Sequence, residues 1–396
     1  MSKFTVYLPS FTELTRDQQR AVDKNSCVNM IGSAGAGKSV VNLFRHIRNI
    51  NKGKNSAIIC FNNTLQKYLF SATKEVNTDA AMRIHTLWGF ARDGFIGQNG
   101  TWLYKNSWGG DCRGRQKYCK NGQKLDEIIV DEAQDVENKA FEVLRSSCFD
   151  LSCGSDFNQQ IYNSGISQEK LEYFLNQNKN GYENIFLRRN FRNTIQIASF
   201  IASFLPNFDE TGYADKSGPK PRVYSNEQKG DKSDTDIIKE LLPVLSGNTA
   251  ILLPYSNKDS DRSANEKSNV DYYYDSLKDF TPSKYHSNMS RTEKDAFRKN
   301  DLSSVFVTTF KSAKGLEFDN VIIPKINQMD EIISQNVFSE KDYYVAFSRA
   351  RTNLFLISDE PISNLARFDS DFVSTELYDV DYFNSGYNID EDEIPW

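Results

Sequence analysis

Short apolar runs that stop abruptly at glycine, acid or proline recur along the chain, and the period of the pattern changes after each. Val28 to Ile31 gives way to a glycine-rich turn, and then Val40, Val41, Phe44 and Ile47 fall at helical spacing. That order predicts strand, tight turn and helix. Ile128-Ile129-Val130 ends in Asp131-Glu132, the pattern of a buried strand that delivers carboxylates to the edge of a parallel sheet. Farther on, Ala250 to Pro254 and Val305 to Thr308 read as two more buried strands, with Tyr272 to Leu277 as part of a helix between them. Strands alternating with helices specify an α/β fold built on parallel sheets. At 396 residues the chain is too long for one ordinary core, so two or three domains are expected.

The turn after the first strand reads Gly32-Ser33-Ala34-Gly35-Ala36-Gly37-Lys38-Ser39. Its spacing is that of a phosphate-binding loop. Glycines let the backbone turn tightly and aim N–H groups at phosphates, Lys38 reaches the β and γ oxygens, and Ser39 supplies a hydroxyl to Mg²⁺. The following helix presents its positive end to the anion. Behind such a loop, Asp131 is expected in the Mg²⁺ shell, and Glu132 is placed to take a proton from the water attacking the γ-phosphate.

Composition narrows the setting. Hydrophobic residues make up 39% and charged residues 26%, and no apolar run approaches membrane-spanning length. The N-terminal stretch lacks a secretory apolar core, so a cytoplasmic protein is expected. The six cysteines lack paired C-x-x-C spacing and read as structural or incidental. A net charge of −5 argues against a broad electrostatic footprint for nucleic acid, although a narrow basic groove with stacking aromatics is compatible with it.

Asp131-Glu132-Ala133-Gln134-Asp135 closely resembles the acidic motif of superfamily 1 DNA helicases of the UvrD/Rep kind, and further segments similar to that family follow in order between about residues 14 and 357. The resemblance implies two RecA-like P-loop NTPase domains, over residues 1–186 and 187–360, with ATP and Mg²⁺ in the cleft between them. It implies that Gln18, in Leu14 to Val22, reads the adenine edge. Ile58 to Leu65 resembles the segment whose Phe, here Phe61, stacks on a base, with Asn63 beside it. His85-Thr86 resembles the pair that touches the nucleic-acid backbone. In Asp156 to Tyr162, Gln159 would sense the γ-phosphate and Tyr162 contact the strand. In Leu187 to Arg192, Phe191 would stack on adenine and Arg192 touch the γ-phosphate. Thr309 to Phe318 is similar to the A-K-G-L-E-F segment, whose acid, here Glu317, approaches the ribose; Tyr343 to Ala350 would supply Arg349 as a second arginine at the γ-phosphate. With Lys38 in one half and both arginines in the other, hydrolysis is expected to alter domain closure.

Departures from the family pattern shape the functional expectation. Ser155 stands for a usual glycine, Ser164 for a DNA-stacking tryptophan, and Lys311 for a histidine, adding positive charge near the strand. Only about residues 94 to 125 occupy the place of the first large insertion, with basic and aromatic residues interleaved from Trp102 to Tyr118. About residues 256 to 270 read as a polar loop where the second would be. The compact form puts duplex separation in question, whereas movement along one strand needs only the two motor domains. After Arg367 the chain is acidic and ends in Trp396, which reads as a solvated tail or a partner-binding peptide. The leading expectation is an ATP-dependent 3′ to 5′ translocase or helicase on single-stranded or tailed DNA, with RNA possible. The alternative is a nucleic-acid-stimulated ATPase switch serving a partner effector or nuclease in defence or repair. A P-loop kinase would have no need of two arginine motifs beyond residue 187.

Overall fold

The structure, a computed structural model, describes residues 3–90 apart from 7 and 88, the pairs 104–105 and 111–112, residues 124–206 apart from 163, 213–256, 269–361 apart from 336 and 337, and 369–376 apart from 370. Most of the interleaved basic and aromatic stretch, most of the polar loop and Trp396 lie outside the described residues.

In chain order the first half contains β1 (Cys27–Gly32), β2 (Ser56–Cys60), β3 (Ile84–Thr86), β4 (Tyr104–Lys105), β5 (Asp111–Cys112), β6 (Leu125–Val130), β7 (Cys148–Ser155) and β8 (Tyr182–Leu187). Six of these form one parallel sheet in the order β3-β2-β6-β7-β1-β8, while β4 and β5 make a separate antiparallel pair. Parallel strands are joined through helices that cover both faces, which is why β2 is buried at every position. Register sets the site: Ile31 of β1 lies beside Ser155, and Val130 of β6 beside Cys153. The turns after β1, β6 and β7 therefore open side by side on the carboxyl edge of the sheet.

The second half pairs β9 (Arg189–Asn190) with β10 (Tyr213–Ala214). It then builds a second six-stranded sheet from β11 (Arg222–Tyr224), β12 (Thr249–Leu253), β13 (Ser283–Tyr285), β14 (Val305–Thr309), β15 (Phe318–Ile323) and β16 (Ala350–Ile357). Its order is β11-β16-β15-β12-β14-β13, again parallel throughout. Two parallel sheets of this kind are the two RecA-like domains.

The domains are not separate bodies joined by a thread. The helix α1 (Arg16–Asp23) and the long helix α2 (Lys38–Asn51) pack on the first sheet, and α3 (Asn63–Lys74) carries Leu65, Tyr68 and Leu69 into an apolar cluster shared with Phe306, Phe310 and Phe318 of the second. The start of the chain crosses over as well. Phe4 sits edge-on to Tyr68 and Phe318, with ring centroids 6.0 and 5.8 Å away, and its N–H donates to the Leu302 carbonyl at 2.9 Å. Within the first domain, fully buried Arg45 on α2 pairs with Glu127 of β6 at 2.7 Å and donates to the carbonyls of Ala21, Lys24 and Ser26, locking α2 to the sheet.

One residue of the stretch expected as an acidic tail is packed against the body. Val373 is buried, the Ser374 N–H donates to the Pro221 carbonyl at 2.8 Å, and Val223 donates to the Ser374 carbonyl at 2.9 Å. An apolar Val flanked by backbone groups that can extend the edge of β11 outweighs the charges around it. Among the described residues no helix is long and apolar enough to cross a membrane.

Candidate functional site

β1 ends at Gly32, and the loop that follows turns back on itself. Gly35 and Gly37 have φ of +74° and +83°, the left-handed region that favours glycine. Space excludes a side chain too: a Cβ on Gly35 would lie 2.2 Å from Asn190 Oδ1, and one on Gly37 2.5 Å from Gln18 Nε2. Lys38 opens α2 and folds its ammonium onto the Gly32 and Ser33 carbonyls at 2.7 and 2.9 Å. Those two residues thus hold Lys38 from behind, while Ala34 to Ser39 face the cavity.

The expected metal pair comes together. Ser39 Oγ donates to Asp131 Oδ2 at 2.8 Å, and Asn42, which sequence reasoning missed, donates to the other oxygen at 2.6 Å. Asn42 lies one helical turn beyond Ser39, on a side of α2 that also carries Arg45, His46 and Asn49. Burial pushes the Asp131 carboxyl up, and the charge of Glu132 adds to the effect. Glu132 has a φ of 55°, a left-handed conformation that is costly for a residue with a Cβ and orients its carboxylate toward the cleft. Burial alone would raise its pKa, but Lys314 and then Lys38 more than offset that, so Glu132 is held below the usual carboxylate range. Gln134 Nε2 donates to Glu132 Oε2 at 2.6 Å and fixes it.

The second domain closes the cleft. Arg349, 1% exposed, is anchored by the Val345 and Leu316 carbonyls at 2.8 and 3.2 Å and reaches across to Gln159 Oε1 at 3.0 Å. Gln159 is also tied to Asp156 at 2.6 Å. Arg192 donates to Glu317 at 3.3 Å and to the Ser348 carbonyl at 3.2 Å. Glu317 further accepts from Tyr68 at 3.2 Å and from Arg351 at 3.1 Å, so three groups from two domains hold the acid. Burial raises its pKa, and Arg192 followed by Arg351 brings it below the ordinary value. Between these walls lies a cavity of about 320 Å³, the scale of a small-molecule site. Phe191 lines its mouth, with the Arg189 guanidinium 5.1 Å from its ring centroid.

Gln18 also lines the cavity, but its side chain is partly committed. Its Oε1 accepts from the Thr15 N–H at 2.9 Å and its Nε2 donates to the Ala36 carbonyl at 3.1 Å, leaving one lone pair and one amide hydrogen for an adenine edge. Sequence reasoning missed Tyr68, Lys216 and Arg351 as cavity residues. Arg351 lies on β16, just beyond the turn that carries Arg349.

Residues expected to meet a strand fall into two groups. Phe61 and Tyr162 stand with ring centroids 4.6 Å apart, and the Lys311 ammonium lies 5.8 Å from the Tyr162 centroid, so both domains contribute to one aromatic and cationic cluster. Asn63 instead donates to the Tyr285 hydroxyl at 2.9 Å, bridging the domains. His85 and Thr86 are buried, and Thr86 Oγ1 accepts from the Gly89 N–H at 3.0 Å. Thr86 pairs with Cys60, the residue before Phe61, and the His85 ring lies 6.1 Å from the Phe90 ring. Ser164 is exposed.

Comparison with known proteins adds to this geometry. A UvrD-like helicase C-terminal domain matches residues 255–360, and an AAA domain matches residues 18–163. Among solved structures, the chain is similar to the arterivirus nonstructural protein 10 helicase at 11% identity and a TM-score of 0.38, covering 89% of this chain and 64% of that one. It is similar to the PRRSV helicase at 14% identity and a TM-score of 0.40, covering 86% and 54%. For arterivirus nonstructural protein 10 in complex with DNA the values are 13%, 0.39, 89% and 65%. The chain thus spans between 54% and 65% of the length of these helicases. No curated protein matches it significantly.

Proposed function

The chain belongs to the UvrD-like helicases of superfamily 1, a family of NTP-hydrolysing enzymes, and from that premise we propose that it uses ATP to move 3′ to 5′ along single-stranded DNA. The observation that carries the reading is the contact between Arg349 of one domain and Gln159 of the other at 3.0 Å, at the wall of a cavity that Lys38 also lines. Hydrolysis of a triphosphate needs positioning and neutralised charge rather than covalent chemistry.

The residues divide that work. Lys38 and the N–H groups of the glycine-rich loop hold the phosphates, while Arg192 and Arg349 bring positive charge from the opposite wall. The Ser39 hydroxyl and the Asp131 carboxylate, 2.8 Å apart, form an oxygen donor set suited to Mg²⁺. The metal would neutralise charge on the phosphate oxygens. Glu132, ionised and fixed by Gln134, takes the proton from the attacking water. Phe191 offers its ring to the base and Glu317 its carboxylate to the ribose. Phe61, Tyr162 and Lys311 supply stacking faces and a cation to the strand.

Tailed DNA and RNA duplexes test the reading. Hydrolysis should rise with a single-stranded DNA, and a 3′-tailed duplex should be cleared before a 5′-tailed one. A rise in hydrolysis with both duplexes left intact would favour the switch reading instead. Preference for an RNA tail would correct the substrate.

A further inference from the structure

Lys314 of the second domain, the charge that most lowers the Glu132 pKa, is buried against Asp135 of the first. Each is 1% exposed, and Lys314 Nζ lies 2.5 Å from Asp135 Oδ2. The same ammonium donates to the Gln159 carbonyl, and the Lys314 carbonyl accepts from Asn62 Nδ2 at 3.1 Å. Its neighbours tighten the contact. The Thr64 hydroxyl donates to the Ser312 carbonyl, and Gly315, at φ +84°, leaves no room for a Cβ, which would lie 2.8 Å from Leu65.

Each partner in the first domain belongs to a working segment. Asn62 follows Phe61, Asp135 stands three residues after Glu132, and Gln159 stands three before Tyr162. A buried ion pair is a poor source of stability, because desolvation offsets most of its attraction. Its geometric demand is strict, however: the pair stays together only while the acidic turn, the Gln159 turn and the Lys314 segment keep one register. We propose that Lys314 is a positioning residue that transmits closure of the nucleotide cleft to the strand-facing rings, by holding the acidic turn and the Gln159 turn in one register. The inference rests on the motor reading above.

Lys314→Met/Asp135→Asn removes both charges and so avoids the lone buried carboxylate that would destabilise the single variant. It should melt near the wild-type temperature and keep its KM for ATP within about threefold. Stimulation of its kcat by oligo-dT should fall at least about tenfold. Lys314→Arg, which keeps the charge, should retain most of the stimulation. Asn62→Ser keeps a capping hydroxyl, loses the contact with the Lys314 carbonyl and weakens the one with the Thr64 hydroxyl, and should lower stimulation about threefold. Full stimulation in the Asn62→Ser variant, or in a folded double variant, overturns the inference alone. A wild-type chain whose hydrolysis ignores oligo-dT overturns the motor reading and this inference with it.

Discussion

The two domains share an architecture and differ in what their loops carry. Each is a six-stranded parallel sheet covered by helices. Only the first has a glycine-rich turn, where Lys38 is held by Gly32 and Ser33; Glu132 is held by Gln134, and Asp131 by Ser39 and Asn42 of α2. The second offers no phosphate loop. Its contributions, Arg192, Arg349, Lys314 and Glu317, are held by contacts that mostly cross the chain. On the proposed reading, the first half binds the nucleotide and the second responds to it.

Mutations should separate the two roles. The largest effect is expected from Arg349→Ala, which should lower kcat by about 10³-fold or more while leaving nucleotide affinity within about threefold. Lys38→Ala, in contrast, should lose turnover and nucleotide binding together. Fluorescent-nucleotide titration beside steady-state kinetics reads both, and equal loss of affinity in the two variants would erase the distinction. Glu132→Gln should cost about 10²- to 10⁴-fold in kcat with binding kept, because its part is in the chemical step.

Acid should loosen the binding half. His46 on α2 is fully buried, its Nε2 lies 3.0 Å from the Ala80 carbonyl, and burial, only partly offset by that hydrogen bond, lowers its pKa from 6.5 to about 4. Between those pH values the unfolded chain takes the proton and the folded one does not. Stability should therefore fall as pH drops from about 6.5 to about 4, by on the order of 3 kcal/mol. Urea unfolding across that range should show a flatter profile in His46→Gln; an unchanged slope would assign the acid sensitivity elsewhere. The smallest effect is on the shared face, where Phe61→Ala should weaken strand binding by about 1 to 3 kcal/mol and spare basal hydrolysis.

The contrast between the halves also explains what could be read from the residues alone. The fold class, the strands at β1, β6, β12 and β14 and the phosphate loop follow from local pattern, because a buried parallel strand is a continuous apolar run and a left-handed turn calls for glycine. The pairing of Ser39 with Asp131 was also within reach, since the motif chemistry specifies it. Contacts set by tertiary packing were not. Nothing local in Lys314 or Asp135 reveals that they meet, and the commitment of Gln18 to Thr15 and Ala36 depends on where α1 lands. Likewise the acidic composition after Arg367 concealed Val373, whose burial depends on the free edge of β11.

The central claim is that one cleft, closed from two domains, drives a strand-gripping motor. Steady-state ATP hydrolysis by the wild-type chain, with and without single-stranded DNA, tests it most directly. A rise in kcat that saturates with oligonucleotide, and is lost in Arg349→Ala, is the predicted result; a rate indifferent to nucleic acid would contradict it.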